Sequence, residues 1–322
     1  MNASRRSLRI ALMIMAALVS SATLAAQDVA LRYRWTKGEV VRYRNTIQTD
    51  MQMSGLPGMG DMTVSMTMVQ VNKLTVDDIA ADGTATIRST TESMKMTMSI
   101  PMMGDVSYDS AAPPPAGSNP ITDALGQSVG ALVGETLTLA VASTGKVGKI
   151  DGLAQLVEKM KKSAPAAGGA MGMGNMDAFF SEDAQRSTIE QSFAVMPDKS
   201  VKPGDTWKNE YKIPSPMGSQ TASYVCTLKS QETIGGNPTA RIATTGAVKS
   251  SGAPGVMGPM TVTMGDGTSQ GELLFDTKLG RVRKSTGTMT QPLAMKMNPG
   301  DGTEIAIQAV QKTTSTMELI EK

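Results

Sequence analysis

The sequence contains no histidine and a single cysteine in 322 residues. Without an imidazole there is no Ser-His-Asp triad, no Cys-His dyad, no histidine-ligated zinc and no histidine proton shuttle. One thiol allows neither an internal disulfide nor a CxxC metal or redox site. Aromatic residues are scarce, at 5 Tyr, 4 Phe and 2 Trp, while methionine reaches 27. Neither sign of charge dominates, with 31 Lys+Arg against 29 Asp+Glu. There is no basic run, few rings for base stacking and no nucleic-acid module, so a nucleic-acid partner is not expected. No cofactor is expected.

Residues 1–26 read as a secretory signal peptide. Arg5, Arg6 and Arg9 form a basic start, Ile10 to Val19 an apolar run, and Ser20, Ser21, Ala22, Ala25 and Ala26 the small residues before cleavage. The run is shorter than the roughly twenty apolar residues of a spanning helix. Ser4-Arg5-Arg6-Ser7-Leu8 partly resembles a twin-arginine signal, but Arg9 fits it badly, which favours the general secretory route. No Cys lies near the cleavage site, so the expectation is a periplasmic or secreted protein without a lipid anchor. Cleavage removes three Arg and no acid, leaving 28 basic against 29 acidic residues and a charge of about −1. It also removes Met1, Met13 and Met15, leaving 24 Met to supply apolar bulk that aromatics normally provide. No later stretch is long and apolar enough for a transmembrane segment.

Alternation with a period of two dominates the mature chain. Leu31, Tyr33 and Trp35 alternate with Arg32 and Arg34; Met94, Met96, Met98 and Ile100 alternate with Lys95, Thr97 and Ser99. Leu137–Val141, Tyr224–Leu228 and Met260–Met264 repeat the pattern. It predicts antiparallel strands with one wet face. Turns are expected at Asp82-Gly83, Gly145-Lys146, Gly235-Gly236-Asn237, Asp266-Gly267 and Asp301-Gly302. Residues 111–200 break the rhythm. Ala111–Gly117 has linker composition; a short helix is expected from Asn119-Pro120 to Val133, interrupted by Gly126 and Gly130; a strand pair spans Leu137–Ile150. A helix carrying Leu153, Leu156, Val157 and Met160 comes next, then a flexible stretch at Ala164–Asn175 and a helix over Asp177–Val195. The organisation expected is thus a signal at 1–26, a first hairpin unit at 27–110, linker, helices and a strand pair at 111–200, and a second unit at 201–322 completing one sheet with the first. SGLPGMGDMTV at Ser54–Val64 returns as SGAPGVMGPMTV at Ser251–Val262, which fits recurring hairpin units, an ancient duplication or low-complexity coincidence.

Three stretches carry a family resemblance: LRYRWTKGEVVRYR (Leu31–Arg44), MPDKSVKPGDTW (Met196–Trp207) and GELLFDTKLGRVRKS (Gly271–Ser285). The chain resembles an uncharacterised family of exported bacterial proteins of unknown function. The resemblance implies export and β-rich architecture and brings no catalytic residues.

Methionine in MxM spacing is the main candidate for chemistry, at Met66/Met68, Met94/Met96/Met98, Met171/Met173 and Met295/Met297. In a strand such spacing puts the sulfurs on one face. Three readings compete: a Met-filled core, an apolar ligand site formed by Met66, Met68, Met94, Met96, Met98, Met260 and Met264, and soft-metal binding of Cu(I) or Ag(I) by Met94, Met96, Met98, Met295 and Met297. Packing is the strongest of them. Pro/Gly/Met loops at Leu56–Asp61, Pro101–Asp105, Pro214–Gly218 and Ala253–Pro259 would form an apolar patch if gathered at one end. Asp77-Asp78, Glu182-Asp183 and Asp205 are the carboxylates to weigh for glycoside hydrolysis, against ordinary surface roles. The Gly-Asp-Gly runs at 265–267 and 300–302 lack the rest of a calcium loop and read as turns. Ser143–Lys146 matches SxxK formally but sits at a hairpin turn. Cys226 reads as a buried thiol, and Trp35 and Trp207 as core anchors.

The expected fold is mainly antiparallel β with a helical middle segment, a curved sheet or an open or half barrel, like lipoprotein carriers or lipocalins in architecture. The leading expectation is a non-enzymatic envelope protein binding an apolar small molecule, a lipid or an envelope protein partner in a Met-lined concave sheet.

Overall fold

The computed structural model describes residues 28–55, 58, 60–101, 104–113, 120–170, 181–213, 219–251, 254–257, 260–297 and 304–320. Every alternating stretch, apart from Leu31–Trp35, lies in a strand. In chain order these are β1 (Val40–Ser54), β2 (Met62–Ile79), β3 (Ala85–Ile100), β4 (Gly104–Asp109), β5 (Thr136–Val141), β6 (Val147–Asp151), β7 (Thr206–Ile213), β8 (Ser219–Ile234), β9 (Asn237–Ser251), β10 (Gly255–Met257), β11 (Met260–Met264), β12 (Gly267–Asp276), β13 (Arg281–Met297) and β14 (Ile305–Ile320). The described helices are α1 (Pro120–Gly130), α2 (Leu153–Ala170) and α3 (Glu182–Gln191).

The fourteen strands form one sheet in the order β6-β5-β3-β2-β1-β14-β13-β12-β9-β8-β7, with β4 beside β3, β11 beside β13 and β10 beside β11. Every pairing within the sheet is antiparallel. The fold is therefore mainly antiparallel β, one open curved sheet that does not close into a barrel. Strands β1 and β14 are neighbours, pairing Tyr43 with Leu319 and Met53 with Ala309, so the first and last strands lie side by side in mid-sheet.

What spans the seam is irregular chain and one helix. Helix α3 packs on both edge strands, β6 and β7. Its Ser187 hydroxyl donates to the Lys212 carbonyl (2.9 Å) and its Arg186 guanidinium to the Gly148 carbonyl (3.1 Å). The strap after it, Phe193–Val201, is held from both sides. The Met196 N–H donates to Thr144 O in the β5–β6 turn (2.8 Å), while Trp207 Nε1 and Asn209 Nδ2 on β7 donate to Val195 O (3.1 and 3.0 Å). The N-terminal segment runs alongside: the Tyr33 N–H donates to Ser143 O (2.7 Å), and Val29 bridges Val201. The Tyr33 ring stacks on Trp35 and meets Phe193 and Phe275 edge-on. Most of the few aromatics thus gather at this sealed end, where Leu31, Val76, Ile87, Leu139, Leu228, Ile242 and Phe275 form the main core. A smaller second core of Val262, Leu293, Met295, Ile307 and Ala309 occupies the opposite, open end.

Four local expectations need correction. Gly126 does not interrupt α1; a Cβ there would stand 2.9 Å from the Tyr108 ring, so the missing side chain is what lets the helix rest on β4. Helix α2 continues to Ala170, into the stretch expected to be flexible, while Met171–Asn175 lies outside the described residues. The last helix is shorter than Asp177–Val195: the Ser181 hydroxyl caps it by accepting from the Ala184 N–H, and after Gln191 the chain extends so that Phe193 enters the core. Asp266-Gly267 is no reverse turn. Strands β11 and β12 both pair with β13, one after the other, and the chain jogs between them with the Gly265 N–H donating to Pro292 O. Asp301-Gly302 lies outside the described residues.

Candidate functional site

Paired residues in a sheet present their side chains to the same side, so the register sorts every strand position into two faces. On β1 the concave set is Val41, Tyr43, Asn45, Ile47, Thr49, Met51 and Met53. Opposite them on β2 lie Leu74, Asn72, Gln70, Met68, Met66, Val64 and Met62. Extending the register across β3, β14, β13 and β11 places Met94, Met96, Met98, Met317, Met289, Met295, Met297, Met260 and Met264 on the same side. The nine described methionines singled out from the sequence (Met66, Met68, Met94, Met96, Met98, Met260, Met264, Met295 and Met297) therefore share one face, while Met171 and Met173 lie outside the described residues.

They do not form one site. Met66 faces Met98 and Met68 faces Met96 across β2 and β3, with Met94 next in line opposite Gln70. These residues belong to neither core; Met94 is buried and the other four are half-buried. Met260 faces Met297 across β11 and β13, but Met264 and Met295 pack into the second core. That second group is mainly packing. Between the two groups the central strands carry Thr49 and Thr313, whose hydroxyls hydrogen-bond at 3.3 Å, and Gln311.

Charge is distributed as strictly as methionine. From Asn45, Asn72 and Ser285 to the open end, the concave positions of the described sheet hold no Asp, Glu, Lys or Arg. The ionic residues of these strands face outward, and several pair with one another: Arg42 with Glu92 (2.8 Å), Arg88 with Asp77 (2.7 Å), Lys284 with Glu318 (2.6 Å) and Lys249 with Asp266 (2.6 Å). The titratable groups that do face inward stay neutral. Burial pushes the Cys226 thiol up to about 11. Burial, then the neighbouring Cys226 and Tyr224, pushes Tyr211 up to about 12. Tyr43 and Tyr224 are likewise raised by burial.

Two cavities open where the sealed end meets this face, one on each side of the strap. The smaller, about 60 Å³, lies among Trp35, Tyr43, Asn45, Asn72, Phe193 and Met317. Trp35 Nε1 is buried there without a hydrogen-bond partner. The larger, about 180 Å³, is lined by Trp207, Asn209, Tyr211, Tyr224, Cys226 and Thr244. These cavity residues are absent from the methionine-based candidates. The available signal was Trp207-x-Asn209-x-Tyr211, an inward asparagine in an otherwise apolar alternation, since a buried amide needs a partner.

The other candidates have structural roles. Asp77 and Asp78 pair separately, with Arg88 and with Lys37 (2.7 and 2.9 Å). Asp205 accepts from the Lys202 N–H within its turn, and Glu182 and Asp183 occupy the first turn of α3. Among the described residues no three Asp, Glu or Cys side chains cluster to hold an ion. Ser143–Lys146 is the β5–β6 turn. Leu56, Pro57, Met59, Met102, Met103, Pro214–Gly218, Gly252, Ala253, Gly258 and Pro259 lie outside the described residues, so the loop-patch expectation falls largely there. The strands flanking those loops all end at the open end. No described helix is long and apolar enough to cross a membrane.

A family model described as "Family of unknown function (DUF6263)" matches residues 82–282. No curated protein matches. Among solved structures, lipovitellin, solved under the heading of its lipid–protein interactions, is similar at 11% identity and a TM-score of 0.44, over 89% of this chain and 26% of that one. DynF from the dynemicin biosynthesis pathway of Micromonospora chersina is similar at 10% identity and a TM-score of 0.19, over 91% and 89%. OmpF of Salmonella typhi, in complex with daunomycin, is similar at 8% identity and a TM-score of 0.22, over 90% and 100%. The chain spans about a quarter of the length of the lipovitellin chain.

Proposed function

The chain belongs to DUF6263, a family of unknown function, so a role has to come from its own residues, and we propose that it is an exported, non-enzymatic envelope protein that binds a neutral apolar ligand, a lipid or another apolar small molecule, in the groove of its sheet. Export rests on the signal-like residues 1–26. The observation that carries the binding role is the concave face itself, methionine-rich and, among the described residues, without an ionic side chain from mid-sheet to the open end. An ordinary sheet face exposed to water carries charge, and here all of it is on the convex side. Half-buried methionines adapt to an irregular apolar surface at little cost. The polar strip formed by Asn45, Gln70, Asn72, Thr49 and Thr313 would meet an uncharged polar head group by hydrogen bonding, whereas an ionised ligand would find no counter-charge.

The test has two parts. Native mass spectrometry of the mature chain, purified gently from the envelope of its own host, should show an added mass of lipid or another apolar molecule. The recombinant mature chain should enhance the fluorescence of the neutral probe N-phenyl-1-naphthylamine, and Met66→Lys with Met98→Lys should abolish that enhancement while leaving far-ultraviolet dichroism intact. A bare chain that also fails to enhance the probe would sink the proposal. A co-purified peptide instead would replace the lipid with a protein partner from the envelope.

A further inference from the structure

We propose that Met66, Met68, Met96 and Met98 form a binding site for a soft monovalent cation, Cu(I) or Ag(I). This goes beyond the apolar-ligand reading and does not depend on it. The sequence shows Met66/Met68 and Met94/Met96/Met98 as separate stretches; the register makes four of these residues a quartet. Met66 stands directly opposite Met98 and Met68 directly opposite Met96, all four on the concave face. Opposed Cβ atoms in an antiparallel pair lie about 5 Å apart, and successive same-face residues along a strand about 7 Å apart. Each thioether sits at the end of a side chain with three rotatable bonds. From the corners of a rectangle that size, four sulfurs can converge on one ion without moving the backbone.

The surroundings select the kind of ion. On its concave side the quartet is bordered by Ile47 and Thr49 on β1 and by Val106 and Tyr108 on β4. Among the described residues no carboxylate, imidazole or thiolate competes on that face, so zinc, calcium and magnesium lack their donors there. Thioethers are neutral, soft ligands suited to Cu(I) and Ag(I). A monovalent ion leaves only one uncompensated charge, and the partial exposure of all four side chains keeps that charge near water. Met260 and Met297 stand beside Met264 and Met295, which are committed to the second core, and this is why the site is assigned to β2 and β3. Cys226 lies on β8 as a protonated thiol and is not part of it.

The experiment is a titration of the mature chain with silver nitrate in chloride-free buffer. A Cys226→Ala background removes the one thiol, and binding is followed by native mass and by the ¹³C-methyl resonances of methionine. One silver ion per chain is expected, with four methyl resonances shifting together. Met68→Leu with Met96→Leu, which keeps apolar volume but removes two sulfurs, should weaken silver binding by about tenfold or more. Silver binding is read on the parent chain with no apolar ligand or probe present, which separates this proposal from the apolar-ligand reading. If a fourfold leucine variant fails to fold, this two-residue variant and Met66→Leu alone still decide the matter. Undiminished silver binding in these variants, binding lost instead with Met260→Leu and Met297→Leu, or no silver binding at all would overturn the assignment.

Discussion

Lysine placed at Met98 or at Ser99 tests the face assignment on which the binding proposals rest. The two residues are adjacent in β3 yet point to opposite sides. Met98 lies opposite Met66 and the buried Val106, while exposed Ser99 lies opposite Ser65 and Asp105. Full burial of a methionine side chain stabilises by about 1.5–3 kcal/mol, so half-buried Met98 contributes about 1 kcal/mol. Lysine can snorkel outward, but its ammonium still loses some water with no carboxylate on that face, at a cost of about 1–2 kcal/mol. Met98→Lys should therefore destabilise by about 2–3 kcal/mol. In a chain this size that lowers Tm by about 4–10 °C. Ser99→Lys gains Asp105 as a neighbour across the ladder and should stay within about 0.5 kcal/mol of the parent. Denaturant titration of both variants, beside the parent and with the neutral fluorescent probe, gives stability and binding together. Only Met98→Lys should lose probe binding. Equal effects at the two positions, or a neutral Met98→Lys, would refute the assignment of the uncharged face.

Packing at the sealed end carries two further expected outcomes. Alkaline pH should weaken the fold: the Cys226 thiol is near 9 when free and about 11 in the fold, and Tyr211 moves from 10 to about 12. Between those values the native state holds more protons than the unfolded chain, so this stabilisation is complete below pH 9 and is lost as pH rises toward 12. Denaturation midpoints at pH 8, 10 and 11 should fall in that order, with a shallower fall from pH 9 to 11 for Cys226→Ala; a flat profile would contradict the burial of these groups. Gly145→Ala should cost about 2 kcal/mol or more, because φ is +86° and a Cβ would stand 2.5 Å from Ala194 O and 2.6 Å from the Tyr33 ring. Thermal denaturation checks this, and an unchanged Tm would mean that the strap does not press on the β5–β6 turn.

Local pattern settled much of the architecture. Met94-Lys95-Met96-Thr97-Met98 could be only a strand with sulfur on one face and polar groups on the other, because side-chain direction in a strand has a fixed period of two. Thr144-Gly145 had to turn and Leu153–Met160 had to coil, for equally local reasons. What the alternation left open was which strand each stretch meets, and in what register. Only the folded sheet puts β1 beside β14 and Met66 opposite Met98, since those contacts join residues far apart in the chain and depend on burying both partners at once. The seam shows the same limit. Phe193 has helical spacing with Ile189, four residues before it, yet the chain straightens after Gln191 because Phe193 is buried against Tyr33 and the Val195 carbonyl takes two hydrogen bonds from β7. Periodicity governs which side of a strand is apolar; tertiary burial alone decides where that side is sealed by Phe193 and where the methionines are left half open.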